Sequence, residues 1–160
     1  MHVLILGAAG MIGRKLTAAL VAHGLDGKKV DTLTLIDVVA PLAPEGFAGE
    51  VNAYEANIAA PGAAQRAIAA RPDVIFHLAA IVSGEAEANL EKGYAINLDG
   101  TRLLFDAVRL EHERSGYYPR VVFTSSIAVY GAPLPDVIDD DFALTPLTSY
   151  GAQKAMGELM

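Results

Sequence analysis

Leu6-Gly7-Ala8-Ala9-Gly10-Met11-Ile12-Gly13 is the stretch that decides how the chain folds. It joins an apolar run, Val3 to Leu6, to a segment of helical periodicity, with Gly7, Gly10 and Gly13 in a G-x-x-G-x-x-G pattern at the junction. Each glycine has a separate physical task at such a turn. One reverses the chain sharply, one leaves bare backbone for a pyrophosphate to approach, and one lets the helix sit close to the sheet. The amides of Met11 and Ile12 then open the helix with unpaired N–H groups and positive dipole, which suit phosphate. Glycines alone also serve a merely tight strand-to-helix turn, so the pattern takes its meaning from its surroundings.

Outward from the loop, strand-length apolar runs alternate with longer helical stretches, the pattern of a parallel sheet covered on both faces. The strands are predicted at Val3 to Leu6, Leu33 to Asp37, Val51 to Tyr54, Val74 to Leu78, and Arg120 to Ser125. Ile12, Leu16, Ala19 and Leu20 line one face of the first helix, and His23-Gly24 stops it. Pro61 opens an alanine-rich helix, a long helix is predicted from about Ala86 to Glu113, and a last one begins near Ser149. The expected fold is therefore α/β, a doubly wound parallel sheet of the Rossmann type, with residues 1–160 as one dinucleotide-binding domain. The last helix reaches Met160 with no stop glycine, proline or basic final turn, so the sequence is expected to break off inside an element.

Composition narrows the partners. A formal charge of −7 leaves no basic stripe for a phosphate backbone, so nucleic acid is not an expected partner. No run of about 18 apolar residues is present, and the expectation is a soluble, cytoplasmic chain with no membrane partner. With no cysteine and four scattered histidines, neither a thiolate nor a zinc site is expected, so no metal is assigned.

Asp37 ends the second predicted strand, 24 residues after Gly13, where a carboxylate can accept both hydroxyls of an adenosine ribose. It would repel a 2′-phosphate, and Val38-Val39-Ala40 offers no cation to welcome one, which favours NAD. Asn57-Ile58 falls after the third strand where an adenine ring would lie, although a plain loop accounts for it too. Tyr150 and Lys154, four apart in a helix, share one face. An ammonium beside a phenol favours the phenolate, so Tyr150 could give or take a proton, while Ser126 at the carboxyl edge of the sheet could hold the substrate oxygen. Spacing alone does not establish this, because such pairs are common on solvated helices.

Taken together, the glycine loop, His77-Leu78-Ala79-Ala80, Asn97 to Thr101, Thr124-Ser125-Ser126 with Tyr130-Gly131, and Tyr150-Gly151-Ala152-Gln153-Lys154 resemble the extended short-chain dehydrogenase/reductases. The resemblance covers essentially the whole chain in the family's order. It implies NAD in the glycine loop at Gly7, Gly10, Met11, Ile12 and Gly13. Asp37, Asn57, Ile58, Leu78, Ala79, Ala80 and Asn97 would flank it, and Tyr150 and Lys154 would reach its nicotinamide ribose. It also implies Ser126, Tyr150 and Lys154 as the catalytic set, a homodimer pairing the long helices, and a C-terminal substrate region missing from these residues. Two positions depart from the pattern. Ile127 and Ala128 stand where the family's dehydratases carry an acidic pair, which disfavours dehydration, and Asn57 stands where relatives often carry Asp.

Ser83-Gly84-Glu85-Ala86-Glu87-Ala88, with Asn97-Leu98-Asp99-Gly100-Thr101 and Leu134-Pro135-Asp136 before Asp140-Asp141-Phe142, resembles more narrowly the group of that family that oxidises the four-carbon sugar acid D-erythronate. That likeness implies a small sugar-acid substrate bound by Ser83, Ser126 and Tyr150. A helix N-cap accounts equally for Ser83. His77, inside an apolar strand, is expected to be packed or bonded to backbone, Asn97 to brace the active-site backbone, and Arg102, Arg109 and Arg114 to be solvated. The leading expectation is an NAD-dependent dehydrogenase. A nucleotide-sugar 4-epimerase with the same residues is the enzymatic alternative, and a non-catalytic NAD sensor the alternative from another class.

Overall fold

The computed structural model describes residues 1–160. Five strands form one wholly parallel sheet: β1 (His2–Leu6), β2 (Thr32–Asp37), β3 (Glu50–Glu55), β4 (Val74–His77) and β5 (Arg120–Phe123), in the order β3-β2-β1-β4-β5. The order reverses between β1 and β4, and it is outside the carboxyl ends of strands at such a switch point that open α/β sheets bind ligands. Both faces are packed. Along β1, Leu4 and Leu6 point into a core shared with Ile36, Ile75, Leu104 and Ile68, while Val3 and Ile5 point into one shared with Leu20, Leu33 and Leu35. Val3, Leu4, Ile5 and Leu6 are each at most 1% exposed, as period-two alternation in a doubly covered sheet requires.

The helices are α1 (Met11–His23), α2 (Ala63–Ile68), α3 (Ser83–Ala88), α4 (Leu90–Gly93), α5 (Gly100–Ser115) and α6 (Ser149–Leu159). Helix α1 ends as expected, with Gly24 at φ 70° returning its N–H to the Leu20 carbonyl. Its buried face differs from the expected one. Gly13, Thr17 and Leu20 are buried and Leu16 half-buried, whereas Ile12 is 54% exposed and Ala19 faces solvent. Gly13 dictates this rotation: a Cβ there would stand 2.2 Å from the Gly7 carbonyl oxygen, so the glycine face is pressed on the loop. Helix α2 starts two residues after Pro61, behind a left-handed Gly62 at φ 77°.

The single helix expected over 86–113 is broken. The chain leaves helical geometry at Asn89, whose side-chain oxygen accepts from the Lys92 amide, and then runs through α4 into a π-helical turn, Tyr94–Asp99, before α5. Glycines flank that turn because neighbours approach closely. A Cβ on Gly93 would lie 2.8 Å from the Gln153 side-chain nitrogen, and one on Gly100 would lie 3.0 Å from Ile58. Arg102 and Arg109 lie in exposed ladders with Asp99, Asp106 and Glu113. Arg114 is likewise solvated, 73% exposed, and its hydrogen bond, with those of Ser115 and Arg71, holds the Glu111 carboxylate below its ordinary value. No helix is long and apolar enough to cross a membrane.

Candidate active site

Two halves of a site meet at the carboxyl edge. The first is a cleft of about 360 Å³ over the switch point, lined among others by Gly7, Gly10, Asp37, Asn57, Ile58, Leu78, Ala79, Ala80 and Ile81. Gly7 must be glycine for the fold itself, because it sits at φ 88° and its Cβ would be 2.8 Å from the Ala79 nitrogen. Gly10 is another matter. Its Cβ would meet nothing nearer than the Gly7 oxygen at 3.3 Å, a tight contact but far short of the collisions at Gly7 and Gly13. A bare position on the cleft wall, at the N-cap of α1, leaves room for a group from outside the chain.

Met11 and Ile12 project outward at 62% and 54% exposure, and their amides have no partner in the chain. Asp37 closes the cleft's other side. Its Oδ2 accepts from the Ala9 amide at 2.9 Å and its Oδ1 from the Val38 amide at 2.7 Å. The carboxylate thus pins the glycine loop to β2 and keeps further lone pairs for hydroxyl donors. Asn57 Oδ1 is used locally, accepting from the Ala59 amide at 3.0 Å, and Ile58 is 4% exposed beneath the cleft.

The second half is built on α6. Its N-terminus is capped by the Thr148 hydroxyl, which accepts from the Gly151 amide at 3.0 Å, and by the Glu87 carboxylate of α3, which accepts from the Tyr150 amide at 2.8 Å. Ser126 is corrected in place: β5 ends at Phe123, and Ser126 caps a 3₁₀ turn over Ile127–Val129, accepting from the Ala128 amide at 3.2 Å. At the end of β5 Thr124 gives both its amide and its hydroxyl to the His77 carbonyl, and Ser125 bonds Glu158 on α6.

Three contacts lock α6 along this exit segment. A Cβ on Gly157 would strike the Phe123 ring at 2.7 Å, and one on Gly151 the Ala128 carbonyl at 2.2 Å. Between them, Lys154 Nζ donates to the Thr124 carbonyl at 3.0 Å and lies 4.9 Å over the Phe123 ring. The turn of Ser126 and the face of Tyr150 and Lys154 are thereby brought together. Lys154 is 2% exposed, and burial lowers its pKa to about 8.

His77 is 1% exposed, and burial followed by the nearby Lys154 charge lowers its pKa to about 4. Its Nε2 pairs with the Thr101 hydroxyl at 2.9 Å, a side-chain partner where packing or backbone was expected. That hydroxyl donates to the Asn97 carbonyl, so Nε2 carries the proton. Asn97, 1% exposed, does brace backbone: its Oδ1 accepts from the Ile81 amide at 2.9 Å and its Nδ2 donates to the Ile81 carbonyl at 3.2 Å. It sits behind the cleft wall, and Ile81 is what faces the cleft. Ser83 is exposed, and its hydroxyl caps nothing, since Val82 occupies the cap position.

Sequence reasoning passed over Gly151, Gly157 and Glu87. The glycines carried a signal, since residues six apart in a helix bracket Lys154 on one face. Glu87 carried none, because its partner lies 63 positions away.

A doubly wound sheet with a glycine loop at its switch point, and a Ser-Tyr-Lys set at the same edge, defines an extended short-chain dehydrogenase/reductase domain. The chain belongs to the NAD dependent epimerase/dehydratase family, whose model matches residues 3–160. Among relatives it is 45% identical to the D-erythronate dehydrogenase of Cupriavidus necator, over 100% of this chain and 49% of that protein. Among solved structures it is similar to the nucleoside-diphosphate-sugar epimerase of Agrobacterium tumefaciens, with 64% identity and a TM-score of 0.97 over 99% of this chain and 47% of that one. A UDP-glucose 4-epimerase from Brucella ovis in complex with NAD matches at 28% identity and TM-score 0.79, over 99% of this chain and 46% of that one. The chain therefore spans about half the length of these relatives.

Proposed function

We propose that these residues form the NAD-binding half of a dehydrogenase that oxidises a secondary alcohol of a small sugar acid, D-erythronate, to the keto acid. The observation that carries the reading is the docking of Tyr150 and Lys154 on the turn of Ser126, at the same sheet edge as the Asp37 cleft. The choice of a sugar acid rests on the 45% identical relative from Cupriavidus necator.

The cleft fits NAD. Gly10 supplies the bare approach for the pyrophosphate, the Met11 and Ile12 amides supply donors, and Asp37 supplies acceptors for the ribose hydroxyls. When bound, NAD supplies the acceptor for the hydride that leaves the alcohol carbon. Tyr150, as phenolate, takes the hydroxyl proton onto its Oη, and Ser126 Oγ donates to the same substrate oxygen. Lys154 holds the phenolate by its charge, and its bond to Thr124 fixes the ammonium while leaving two N–H groups for the cofactor ribose and the phenol. Ser83, exposed in the loop after β4, is assigned to the substrate carboxylate or a hydroxyl. A cytoplasmic homodimer with no membrane or nucleic-acid partner belongs to the same reading.

The test is NADH formation by the complete protein with D-erythronate, with other sugar acids and UDP-hexoses as comparators. Turnover with the sugar acid supports the reading. The 64% identical epimerase favours a second reading, in which UDP-hexose is epimerised with retained NAD and no net NADH. Epimerisation without any sugar-acid oxidation would replace the first reading by the second.

A further inference from the structure

Gln153 lies between Tyr150 and Lys154 in sequence yet turns away from both, into the protein, where it is 0% exposed. Its Oε1 accepts from Asn97 Nδ2 at 2.8 Å, inside the π-helical turn. Asn97 in turn grips both backbone polar atoms of Ile81, a residue of the cleft wall. One buried chain of hydrogen bonds thus runs from the catalytic helix to the cofactor cleft. Its far amide hydrogen set is left over, because Gln153 Nε2 has no acceptor. A buried amide with an unpaired donor costs stability that a methionine or leucine of similar size would not, and buried polar groups of this kind are retained in some proteins because they fix one register of packing.

Gly93 shows that the surroundings accommodate this amide, since any side chain there would run into Gln153. We infer that Gln153 is a positioning residue: through Asn97 it sets the register of the Tyr150 and Lys154 helix against the Ile81 wall, so that phenol and cofactor meet. This rests on the proposed dehydrogenase reading. It predicts that loss of the Gln153 amide separates catalysis from folding. A residue that only filled the core would change stability and the active fraction, leaving turnover per active site and its pH dependence as they were.

The test uses the complete protein, first as wild type with NADH titrated by fluorescence and turnover followed on D-erythronate and UDP-hexose. Gln153→Met keeps volume and removes the bonds. Expected are a fall of about tenfold or more in kcat per active site, a severalfold rise in the KM for NAD, and a shift of the kcat-pH profile to higher pH by about half a unit or more as the ammonium moves off the phenol. The thermal midpoint should fall modestly, because the Asn97 Nδ2 hydrogen that Gln153 accepts is left buried without an acceptor while the unpaired Gln153 Nε2 is removed. Gly93→Ala offers an independent route if Gln153→Met does not fold, since the new methyl displaces the Gln153 amide without removing it; a weaker form of the same signature is expected. Wild-type kcat, KM and pH profile in both folded variants would overturn the inference and leave the dehydrogenase reading intact. A wild type that neither binds NADH nor turns over either substrate would overturn both.

Discussion

Lys154 Nζ donates to the main-chain carbonyl of Thr124 at 3.0 Å, two residues before Ser126 and one turn of helix after Tyr150. The bond ties the cation of the proposed acid-base set to the strand exit that carries its hydroxyl. An ammonium that is 2% exposed, with its pKa lowered to about 8 by burial, destabilises the fold at neutral pH, whereas its proposed role is to place charge beside the phenol. Replacing it should therefore separate activity from stability. Lys154→Met is expected to lower kcat by about 10²–10⁴-fold, the range of a lost acid-base element, while the thermal midpoint at pH 7 stays level or rises. Steady-state kinetics beside calorimetric melting checks both.

Tyr150→Phe removes only an oxygen from a half-buried ring whose backbone is held by Glu87. Turnover should fall by about 10²–10⁴-fold with NAD affinity unchanged. Equilibrium titration with NADH alongside initial rates is the measurement.

His77 makes the fold acid-sensitive in a definite window. Its pKa is about 4 in the folded chain against 6.5 as the ordinary value, so between those limits the unfolded chain binds a proton that the folded one refuses. Stability contributed by the neutral ring is complete above pH 6.5 and is lost as pH falls towards 4, about 3 kcal/mol across the whole window. Urea unfolding at pH 7 and pH 4.5 should show a smaller difference for His77→Gln than for wild type. An equal difference would assign the acid loss to other groups, such as His2, which burial also holds below its usual value.

Asp37→Asn keeps an oxygen for the Ala9 amide and removes the charge. A charged hydrogen-bond acceptor is worth about 1.5–3 kcal/mol, so NAD should bind about ten- to a hundredfold more weakly. Discrimination against NADP should shrink at the same time, and competition between the two cofactors measures it.

How much of this was legible depends on distance along the chain. The strands stood out because apolar runs bounded by glycine and polar residues persist locally, and β1 to β4 lie within two residues of their predicted ends. The glycine loop, Asp37, Tyr150 and Lys154 were legible for the same reason: each is defined by spacing to near neighbours. The break in the helix after β4 was not. Gly93 and Gly100, inside the stretch predicted as one long helix, are the places where Gln153 and Ile58 press in, at sequence separations of 60 and 42. The end of β5 before Ser126 was not legible either, since its side-chain contacts, Thr124 to the His77 carbonyl and Ser125 to Glu158, span 47 and 33 positions. The face of α1 followed the loop rather than its apolar residues, so Ile12 is left outside.

The central claim, that the cleft between the glycine loop and Asp37 holds a dinucleotide, is tested most directly by titrating NAD calorimetrically into the complete protein as wild type, Gly10→Ala and Gly13→Ala. A Cβ at position 13 would collide with the Gly7 oxygen at 2.2 Å, whereas one at position 10 would stand 3.3 Å from it, a tight contact that a shift of a few tenths of an ångström relieves. Gly13→Ala should therefore lose about 1–3 kcal/mol of stability or more, and Gly10→Ala less. The account predicts heat of binding in wild type and its loss in Gly10→Ala, although that variant stays folded and melts above Gly13→Ala. No heat in wild type, or equal heats in wild type and Gly10→Ala, would contradict it.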